Sequence, residues 1–228
     1  MQIITSMGQI SELKDNLIIG NFGFVQSKII FNGSGNVLIG ANSENSAKIT
    51  LKDTTIRFHN DNSVVFVNES VKNYSILIEI FNNSFCYIGA NNYFDGTVNM
   101  QCSEQYNIFI GDDCLFSHGI RLWASDAHLI YDTESHKRIN CAKSIFIGDH
   151  VWVGLDAKIW KGTHIGSGAI LGASAFTTGK RIPSNTAWGG NPAKLIKHGV
   201  FFLGNNAQPF TNVEAAKWSD TRLQSIGI

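Results

Sequence analysis

Residues 147–177 read IGDHVWVGLDAKIWKGTHIGSGAILGASAFT, and this stretch repeats with a period of six residues. A large aliphatic residue opens each repeat, and a small residue or valine follows it four positions later. The aliphatic positions are Ile147, Val153, Ile159, Ile165 and Leu171, and the later positions are Val151, Ala157, Thr163, Ala169 and Ala175. A period of six fits neither the 3.6-residue turn of a helix nor the two-residue alternation of a strand. It fits a parallel β-helix of hexapeptides, with the aliphatic side chain inside and the small residue closing each corner.

Glycine directly follows four of the five aliphatic residues, at Gly148, Gly154, Gly166 and Gly172. Glycine reaches backbone conformations that other residues avoid. We therefore expect these glycines to relieve the backbone at the turns of the coil.

Aliphatic runs that end in a glycine turn also occur upstream, at 17–22, 37–42, 87–92 and 109–114. Between them lie short stretches rich in Val, Ile and Phe and bounded by polar residues, which is typical of strands separated by turns. We interpret these runs as degenerate coils of the same helix, so that the β-helix domain covers residues 17–200. A sandwich of short strands is the alternative fold for residues 17–100. The frequent Asn residues suit the corners, because Asn tolerates a left-handed backbone.

The two ends of the chain lack the repeat. Residues 1–16 are polar and unpatterned, so we expect a frayed or partner-dependent segment. The GGNPAK run at 189–194 predicts a chain reversal. In the tail, residues 201–228, the capping-box pattern at 211–214 predicts a short helix from about Asn212 to Ile226. We expect the tail's aromatic residues to cover the open end of the β-helix, whose strand edges invite aggregation; these are Phe201, Phe202, Phe210 and Trp218.

Charge and composition restrict the possible functions. Lys plus Arg and Asp plus Glu both number 18, which favours neither a nucleic acid nor a membrane as partner. Residues 137–198 nevertheless hold nine basic and two acidic residues, and such a surface suits a phosphorylated ligand. The chain shows no signal-peptide pattern and no apolar stretch of the ~18–20 residues that span a bilayer, which predicts a cytoplasmic protein. The four Cys residues form no CxxC pair, and Cys114 falls on a small corner position, so we predict a core thiol there.

The six-residue rhythm breaks once, at 121–144, before Ile145 restores it. A long irregular excursion from a compact repeat is usually functional. This one contains His128, and histidine is the side chain best suited to general-base catalysis near neutral pH. Asp126 lies two residues earlier, where a carboxylate can fix the tautomer of the imidazole. We therefore predict that His128 is the catalytic base, with His136 as the reserve candidate.

The remaining aromatic and ligand-forming residues are assigned by position. His118 lies within a coil and is predicted to be structural or lining, whereas the other histidines are predicted on the surface or rim: His59, His150, His164 and His198. Trp152 occupies an outward corner position, where core packing needs no indole, so we predict stacking against a ligand. The histidines of the excursion lack the tight pair that a zinc site would need, and we predict no metal.

Three sequences carry a family resemblance: SDAH at 125–128, RINCAKSIFIGDHVWVG at 138–154 and GNPAK at 190–194. Together with the hexapeptides, they resemble the left-handed β-helix acetyltransferases, and among these the cell-surface polysaccharide O-acetyltransferases, including those that act on capsular polysialic acid. The resemblance is specific from about 108 to 198 and looser upstream. His128 matches the family's catalytic histidine, and Trp152 follows it by 24 positions, as the family's tryptophan near acetyl-CoA does.

The resemblance implies a homotrimer with active sites between the prisms and acetyl-CoA in an extended groove. It places the backbone N–H of Leu155 at the thioester carbonyl. Ala173 and Thr178 would line the pantetheine path, and three basic residues would meet the CoA phosphates: Lys180, Arg181 and Lys194. On the acceptor side the candidates are Asn99, Glu104, Lys137 and Arg138.

The predicted reaction is direct acetyl transfer from acetyl-CoA to a sugar hydroxyl in a ternary complex, with His128 as general base. Two alternatives remain open from the sequence. One is N-acetylation of an amino sugar nucleotide, and the other is a non-catalytic trimeric β-helix scaffold. The acceptor is expected to be a saccharide of a capsule, sialic acid polymer or lipopolysaccharide.

Overall fold

The aliphatic positions of the six-residue repeat all face the interior of a β-helix. The computed structural model of the chain describes residues 1–41, 49–70 and 72–203. The five aliphatic residues between Ile147 and Leu171 are at most 4% exposed, and the five residues four positions later are fully buried. The predicted interior of the repeat is therefore confirmed.

The first half of the described chain contains a 3-10 helix and twelve strands. The helix is Met7–Glu12. The strands are β1 (Gln2–Ile4), β2 (Leu17–Ile19), β3 (Phe22–Val25), β4 (Lys28–Phe31), β5 (Val37–Gly40), β6 (Ile49–Lys52), β7 (Thr55–Phe58), β8 (Val64–Val67), β9 (Ile76–Ile80), β10 (Phe85–Ile88), β11 (Tyr93–Phe94) and β12 (Val98–Cys102).

The second half of the described chain continues with shorter strands. They are β13 (Ile108–Ile110), β14 (Leu115–Phe116), β15 (Arg121–Trp123), β16 (Ile145–Ile147), β17 (Trp152–Val153), β18 (Lys158–Trp160), β19 (His164–Ile165), β20 (Ile170–Leu171), β21 (Phe176–Thr177), β22 (Arg181–Ile182), β23 (Thr186–Gly189) and β24 (Lys194–His198).

Most of these strands form three long sheets, which are the faces of a triangular prism, and β3 and β6 pair in a separate two-stranded sheet. Face A has the order β1-β4-β7-β9-β12-β15-β18-β21, face B has β2-β5-β8-β10-β13-β16-β19-β22, and face C has β11-β14-β17-β20-β23-β24. From β13 to β23 the chain visits faces B, C and A in turn, and neighbouring coils pair in parallel, as Phe146 does with His164. Parallel coils also extend upstream to β2, which pairs with β5. The upstream runs are therefore coils of the β-helix, and the sandwich alternative is wrong.

The glycines that follow the aliphatic residues act differently from the prediction. Gly148 and Gly154 do not have positive φ, and that conformation falls two residues later, on His150 (51°) and Asp156 (55°). The glycines are needed because the next coil approaches closely. A Cβ on Gly154 would lie 2.6 Å from the backbone nitrogen of Ala173.

Antiparallel strands cover the ends of two faces. At the start, β1 pairs with β4 along the edge of face A, and Met7 and Ile10 of the 3-10 helix pack against the core. The expectation that residues 1–16 are frayed is therefore wrong, because apolar contacts and a strand pairing hold this segment. At the other end, β24 pairs antiparallel with β23 and forms the predicted reversal.

The tail differs from the prediction where it is described. Phe202 is 7% exposed and stacks on His150, with ring centroids 4.2 Å apart, so it covers the side of the prism rather than its open end. His150 is itself 6% exposed, which corrects its predicted place on the surface or rim. Phe210, Trp218 and the predicted helix from Asn212 to Ile226 lie outside the described residues.

The irregular excursion begins three residues later than predicted. Arg121–Trp123 is strand β15, in register with β12 and β18, and Leu122 is fully buried. The irregular segment is therefore 124–144, which leaves the prism at the corner between faces A and B. We call residues 124–144 the histidine loop.

Candidate active site

The base of the histidine loop is held by the side chain of Asn140, which is 8% exposed. Its Nδ2 donates to the carbonyl oxygen of His128 at 2.7 Å and to Oδ2 of Asp126 at 3.0 Å. Its Oδ1 accepts from the backbone N–H of Ile130 at 2.8 Å. One buried amide thus holds the backbone of His128 and Ile130 and the side chain of Asp126.

Lys161 ties this cluster to the β-helix. Its Nζ lies 2.5 Å from Oδ2 of Asp126 and 2.8 Å from the carbonyl oxygen of Asn140. Lys161 lies between β18 and β19, at the corner between faces A and B. Asp126 therefore anchors the loop, and its predicted contact with the imidazole of His128 is not among the hydrogen bonds of the described residues.

A second ion pair, between Arg138 and Glu104, also holds the loop. Nη1 of Arg138 lies 2.5 Å from Oε2 of Glu104, and the buried hydroxyl of Ser125 donates to Oε1 of the same carboxylate. The hydrogen bond from Arg138 holds the pKa of Glu104 below its usual value, with a smaller contribution from Ser125. Two of the predicted acceptor-side residues, Glu104 and Arg138, are therefore paired with each other.

His128 itself is exposed at the start of the loop. The backbone N–H of Ala127, which has a φ of 65°, donates to the Ser125 hydroxyl at 3.0 Å, and the N–H of His128 donates to the carbonyl oxygen of Asp126 at 2.8 Å. These bonds make a tight turn, which presents the imidazole to solvent from a fixed backbone. The reserve candidate His136 is also exposed, farther along the loop.

A different corner, between faces C and A, presents unpaired backbone donors. The N–H groups of Leu155 and Ala173 make no hydrogen bond within the described residues. Their neighbours are paired, since Gly154 donates to the Leu171 carbonyl oxygen at 2.7 Å and Ser174 donates to that of Leu155, also at 2.7 Å. The two free N–H groups lie on adjacent coils, so an extended ligand along this corner could accept a hydrogen bond from each. His118 is exposed at the same corner, one coil upstream of Leu155.

Trp152 faces outward, as predicted, and is 37% exposed, but it lies in strand β17 on face C rather than at a corner. Its indole tilts against Phe202, with ring centroids 5.9 Å apart. The imidazole of His150 holds Phe202 in place, because it stacks on that ring and its Nε2 bonds the carbonyl oxygen at 3.0 Å. One side of Trp152 is thus packed and the rest is accessible.

The predicted cofactor cations lie at the C-terminal end of the prism. Nζ of Lys180 is 5.9 Å from the centroid of the Trp188 ring, and Arg181 is exposed at the start of β22. Thr178 precedes them at the corner between faces A and B, and its hydroxyl is 3.5 Å from the Lys161 carbonyl oxygen. Lys194 is exposed at the start of β24.

One chain divides the predicted site between two corners. The histidine loop is anchored through Lys161 at the corner between faces A and B, whereas Leu155 and Ala173 lie at the corner between faces C and A. Strand β18 of face A separates Leu155 from Lys161. The predicted acceptor-side residues also divide, since Asn99 faces outward from face A and Lys137 is exposed in the loop.

Sequence reasoning missed Asn140 and Lys161, which position the loop. Asn140 lies in the run at 138–154 that carries the family resemblance, but no pattern there indicates its role, and Lys161 lies outside the three runs. Only the folded coil brings Lys161 beside Asp126, 35 residues earlier. Cys114 is a confirmed prediction, since it is 1% exposed, and burial raises the pKa of its thiol.

Within residues 1–41, 49–70 and 72–203, no group of three or more His, Cys, Asp or Glu side chains is arranged to hold a metal ion. In the same part of the chain, no helix is long and apolar enough to cross a bilayer.

The known proteins that this chain resembles include O-acetyltransferases. No family model matches the chain. The polysialic acid O-acetyltransferase of Escherichia coli O1:K1 is 40% identical over 100 residues, which are 44% of this chain and 32% of that protein. The polysialic acid O-acetyltransferase of Neisseria meningitidis is 30% identical over 148 residues, which are 63% of this chain and 67% of that protein. The matched segments thus span a third and two thirds of these relatives.

Solved structures extend the likeness over almost the whole chain. The polySia-specific acetyltransferase NeuO superposes with a TM-score of 0.75 at 30% identity, covering 92% of this chain and 94% of its own. The polysialic acid O-acetyltransferase OatWY superposes with a TM-score of 0.68 at 24% identity, which supports the shared fold.

The coils and the histidine loop define a left-handed parallel β-helix of the acyltransferase class. With these relatives, the chain belongs to the hexapeptide-repeat O-acetyltransferases, and among them it resembles the polysialic acid O-acetyltransferases.

Proposed function

We propose that this protein transfers the acetyl group of acetyl-CoA to a sugar hydroxyl of a cell-surface polysaccharide, in the cytoplasm, with His128 as general base. The observation that carries the proposal is the exposed His128, held on a fixed backbone by the buried Asn140 in a chain of the O-acetyltransferase family. The two relatives and NeuO are described as polysialic acid enzymes, which favours an acidic glycan of that kind as acceptor.

The reaction needs one base and one oxyanion donor. His128 removes the proton from the acceptor hydroxyl, and the alkoxide oxygen attacks the thioester carbonyl of acetyl-CoA. The oxyanion that forms accepts a hydrogen bond from the free N–H of Leu155. The C–S bond then breaks, and His128 returns the proton to the thiolate, which gives the O-acetyl ester and CoA. A positioned base contributes roughly 10²–10⁴ in rate and an oxyanion donor roughly 10²–10³.

The donor would lie along the corner between faces C and A. Its pantetheine arm would meet the free N–H of Ala173, and Trp152 would pack against it. Thr178 lies at the corner between faces A and B, so it would line the arm from a neighbouring chain. The phosphates of CoA would pair with the cations at the end of the prism, Lys180, Arg181 and Lys194. Lys137, exposed in the histidine loop, would face the acceptor.

A homotrimer would complete the site. Because one chain places the histidine loop and the Leu155 N–H at different corners, a neighbouring chain has to supply one of them. The loop itself exposes large apolar side chains, which are 51–65% exposed and suit burial against a neighbour: Leu129, Ile130, Tyr131 and Ile139.

Face B offers the surface for this assembly. Its outward rows are apolar from β2 to β16, and they form an aromatic ladder in which Phe109 stacks on Phe146 with centroids 4.9 Å apart. Phe66 and Tyr87 continue the ladder upstream at 5.1 Å. A contiguous exposed apolar surface of this kind marks an interaction site. We assign face B to the contact between copies of the chain.

Thiol release from acetyl-CoA with polysialic acid as acceptor tests the function. His128→Ala should lower kcat by about 10²–10⁴. It should leave intact the rise in melting temperature that acetyl-CoA causes, because a ligand bound only by the folded state stabilises it. His136→Ala, in the same loop, is the matched control and should keep kcat. Near-normal turnover by His128→Ala would refute the assignment of the base, and no acetyl-CoA-dependent shift in the wild type would favour a non-catalytic scaffold.

A further inference from the structure

The outward side of face A carries a groove of about 510 Å³ that the proposed machinery does not use. It spans the four neighbouring strands β7, β9, β12 and β15. Its polar and aromatic lining includes Arg57, Glu79, Asn99, Gln101, Arg121 and Trp123. Of these, only Asn99 had a predicted role.

The groove leads to the histidine loop. Asn99 and Arg121 are paired in register, as are Gln101 and Trp123, and Trp123 is the last residue of β15 before the loop begins. Neighbouring strands lie about 4.8 Å apart, so four strands give the groove a length of roughly 14 Å along the prism. A chain molecule in the groove would therefore extend from the histidine loop towards the N-terminal coils, away from the predicted donor site.

Some of the charged side chains in the groove are paired with each other, and one is not. Glu79 is already engaged, since Nη1 of Arg57 lies 3.4 Å from its Oε1 and Nε2 of His59 bonds its Oε2. Arg121 is exposed, and its guanidinium has no carboxylate or hydrogen-bond partner among the described residues. The groove thus presents one unpaired guanidinium at the start of β15, the strand that leads into the loop.

The neighbours of Arg121 suit a sugar. Asn99 and Gln101 present amide groups, which donate to and accept from hydroxyls. The Trp123 indole is held by Trp160, with centroids 5.1 Å apart, and gives the groove a fixed aromatic wall with an apolar face. A planar guanidinium pairs with a carboxylate through two parallel hydrogen bonds. Together these groups recognise a glycan whose sugars carry carboxylates.

We propose that this groove binds the acceptor as an acidic glycan chain, with Arg121 pairing with the carboxylate of a sugar next to the one acetylated at His128. This inference rests on the proposed function and adds the residue that selects an acidic over a neutral acceptor. Asn99 and Gln101 hold hydroxyls of the same chain, and Trp123 packs against a sugar ring.

Kinetics with two acceptors test the groove: polysialic acid oligomers and the same oligomers with their carboxyl groups reduced to alcohols. Arg121→Ala should raise KM for the carboxylated acceptor by about 10- to 100-fold, as expected for a lost charged hydrogen bond. It should leave kcat and the KM for acetyl-CoA unchanged and abolish the preference over the reduced acceptor. Arg121→Lys should restore part of that preference. Lys14→Ala, which removes an exposed positive charge from the N-terminal segment, is the matched control and should behave as the wild type.

Calorimetric binding of the carboxylated oligomers separates this inference from the proposed function. If the wild type released no thiol but bound these oligomers in an Arg121-dependent way, the proposed function would be wrong and the proposed glycan binding in the groove would be supported. If turnover did not depend on Arg121, or if the wild type used the reduced and the carboxylated oligomers equally well, the proposed role of the groove would be wrong and the proposed function would not be affected. Absence of both turnover and binding would overturn both.

Discussion

At the scale of single residues, the site combines a free side chain with free backbone groups. His128 is exposed while its backbone is bonded on both sides, so the imidazole can meet a substrate without loss of position. In the proposed mechanism Leu155 contributes only its N–H, which requires a fixed corner and no particular side chain. For this reason the candidate base could be predicted from residue type and position, whereas the proposed oxyanion donor was predicted only through the family resemblance.

Trp152 belongs to this scale because its exposed indole is predicted to contact acetyl-CoA. Trp152→Ala should raise the KM for acetyl-CoA about 10-fold with a smaller change in kcat, because it removes binding that ground and transition states share. Thiol-release kinetics measure both constants. Trp152→Phe keeps a ring against Phe202 and should lie near the wild type. An unchanged KM in Trp152→Ala would leave the indole only its packing role on Phe202.

At the scale of elements, the histidine loop depends on contacts at its base. Asp126 and Glu104 each bond a cation, and Asn140 bonds one member of each ion pair, Asp126 and Arg138. Because Asn140 bonds the backbone of both His128 and Ile130, it is a positioning residue for the base.

Asn140→Ala should lower kcat by about 10- to 100-fold, because small misplacements of a catalytic group are costly. The KM for acetyl-CoA should not change, and amide hydrogen exchange at 126–131 should accelerate. Ser135→Ala is a suitable comparison, since it removes a 2.7 Å hydrogen bond to Asp132 at the far end of the loop. Equal kinetics and equal exchange in both variants would show that Asn140 does not position His128.

The coils leave little space for a side chain at some of the glycine positions. Gly154→Ala should destabilise the protein by about 1–3 kcal/mol, the usual cost of overpacking, because the new Cβ would meet the backbone nitrogen of Ala173 at 2.6 Å. Denaturant unfolding measures the change. At Gly172 the nearest atom, the Trp188 carbonyl oxygen, is 3.3 Å away, so Gly172→Ala should cost less. Equal losses at the two positions would rule out close coil contact as the reason for Gly154.

At the scale of the whole molecule, the proposed function depends on assembly. The prism has a core that its own residues fill, yet face B leaves apolar side chains outside, with Leu17 49% and Phe146 39% exposed. One chain also separates the two halves of the proposed site. Both features have the same explanation if copies of the chain associate through face B.

A charge placed on the ladder should separate the copies. Phe109→Glu combined with Phe146→Glu is expected to convert a trimer into monomers in sedimentation experiments and to reduce thiol release by at least 10-fold, since burying unpaired charges is costly. The exposed Val25 on β3 is not on face B, so Val25→Glu should leave both mass and activity unchanged. A double variant that stays trimeric would exclude face B as the interface.

The sequence by itself determined the architecture, because the period of six from Ile147 to Leu171 can bury its aliphatic residues only in a prism of hexapeptides. It also singled out His128 as the candidate base, since the one break in that period marks where the chain leaves the prism. Only the tertiary structure decided the start of the break at 124, the ordered N-terminal segment, and the pairing of Asp126 with Lys161. These features depend on contacts between residues far apart in sequence, which a local pattern does not encode. Arg121 is a further example. The sequence predicted that it belongs to the irregular excursion, whereas the register of β15 places it on face A, beside Asn99.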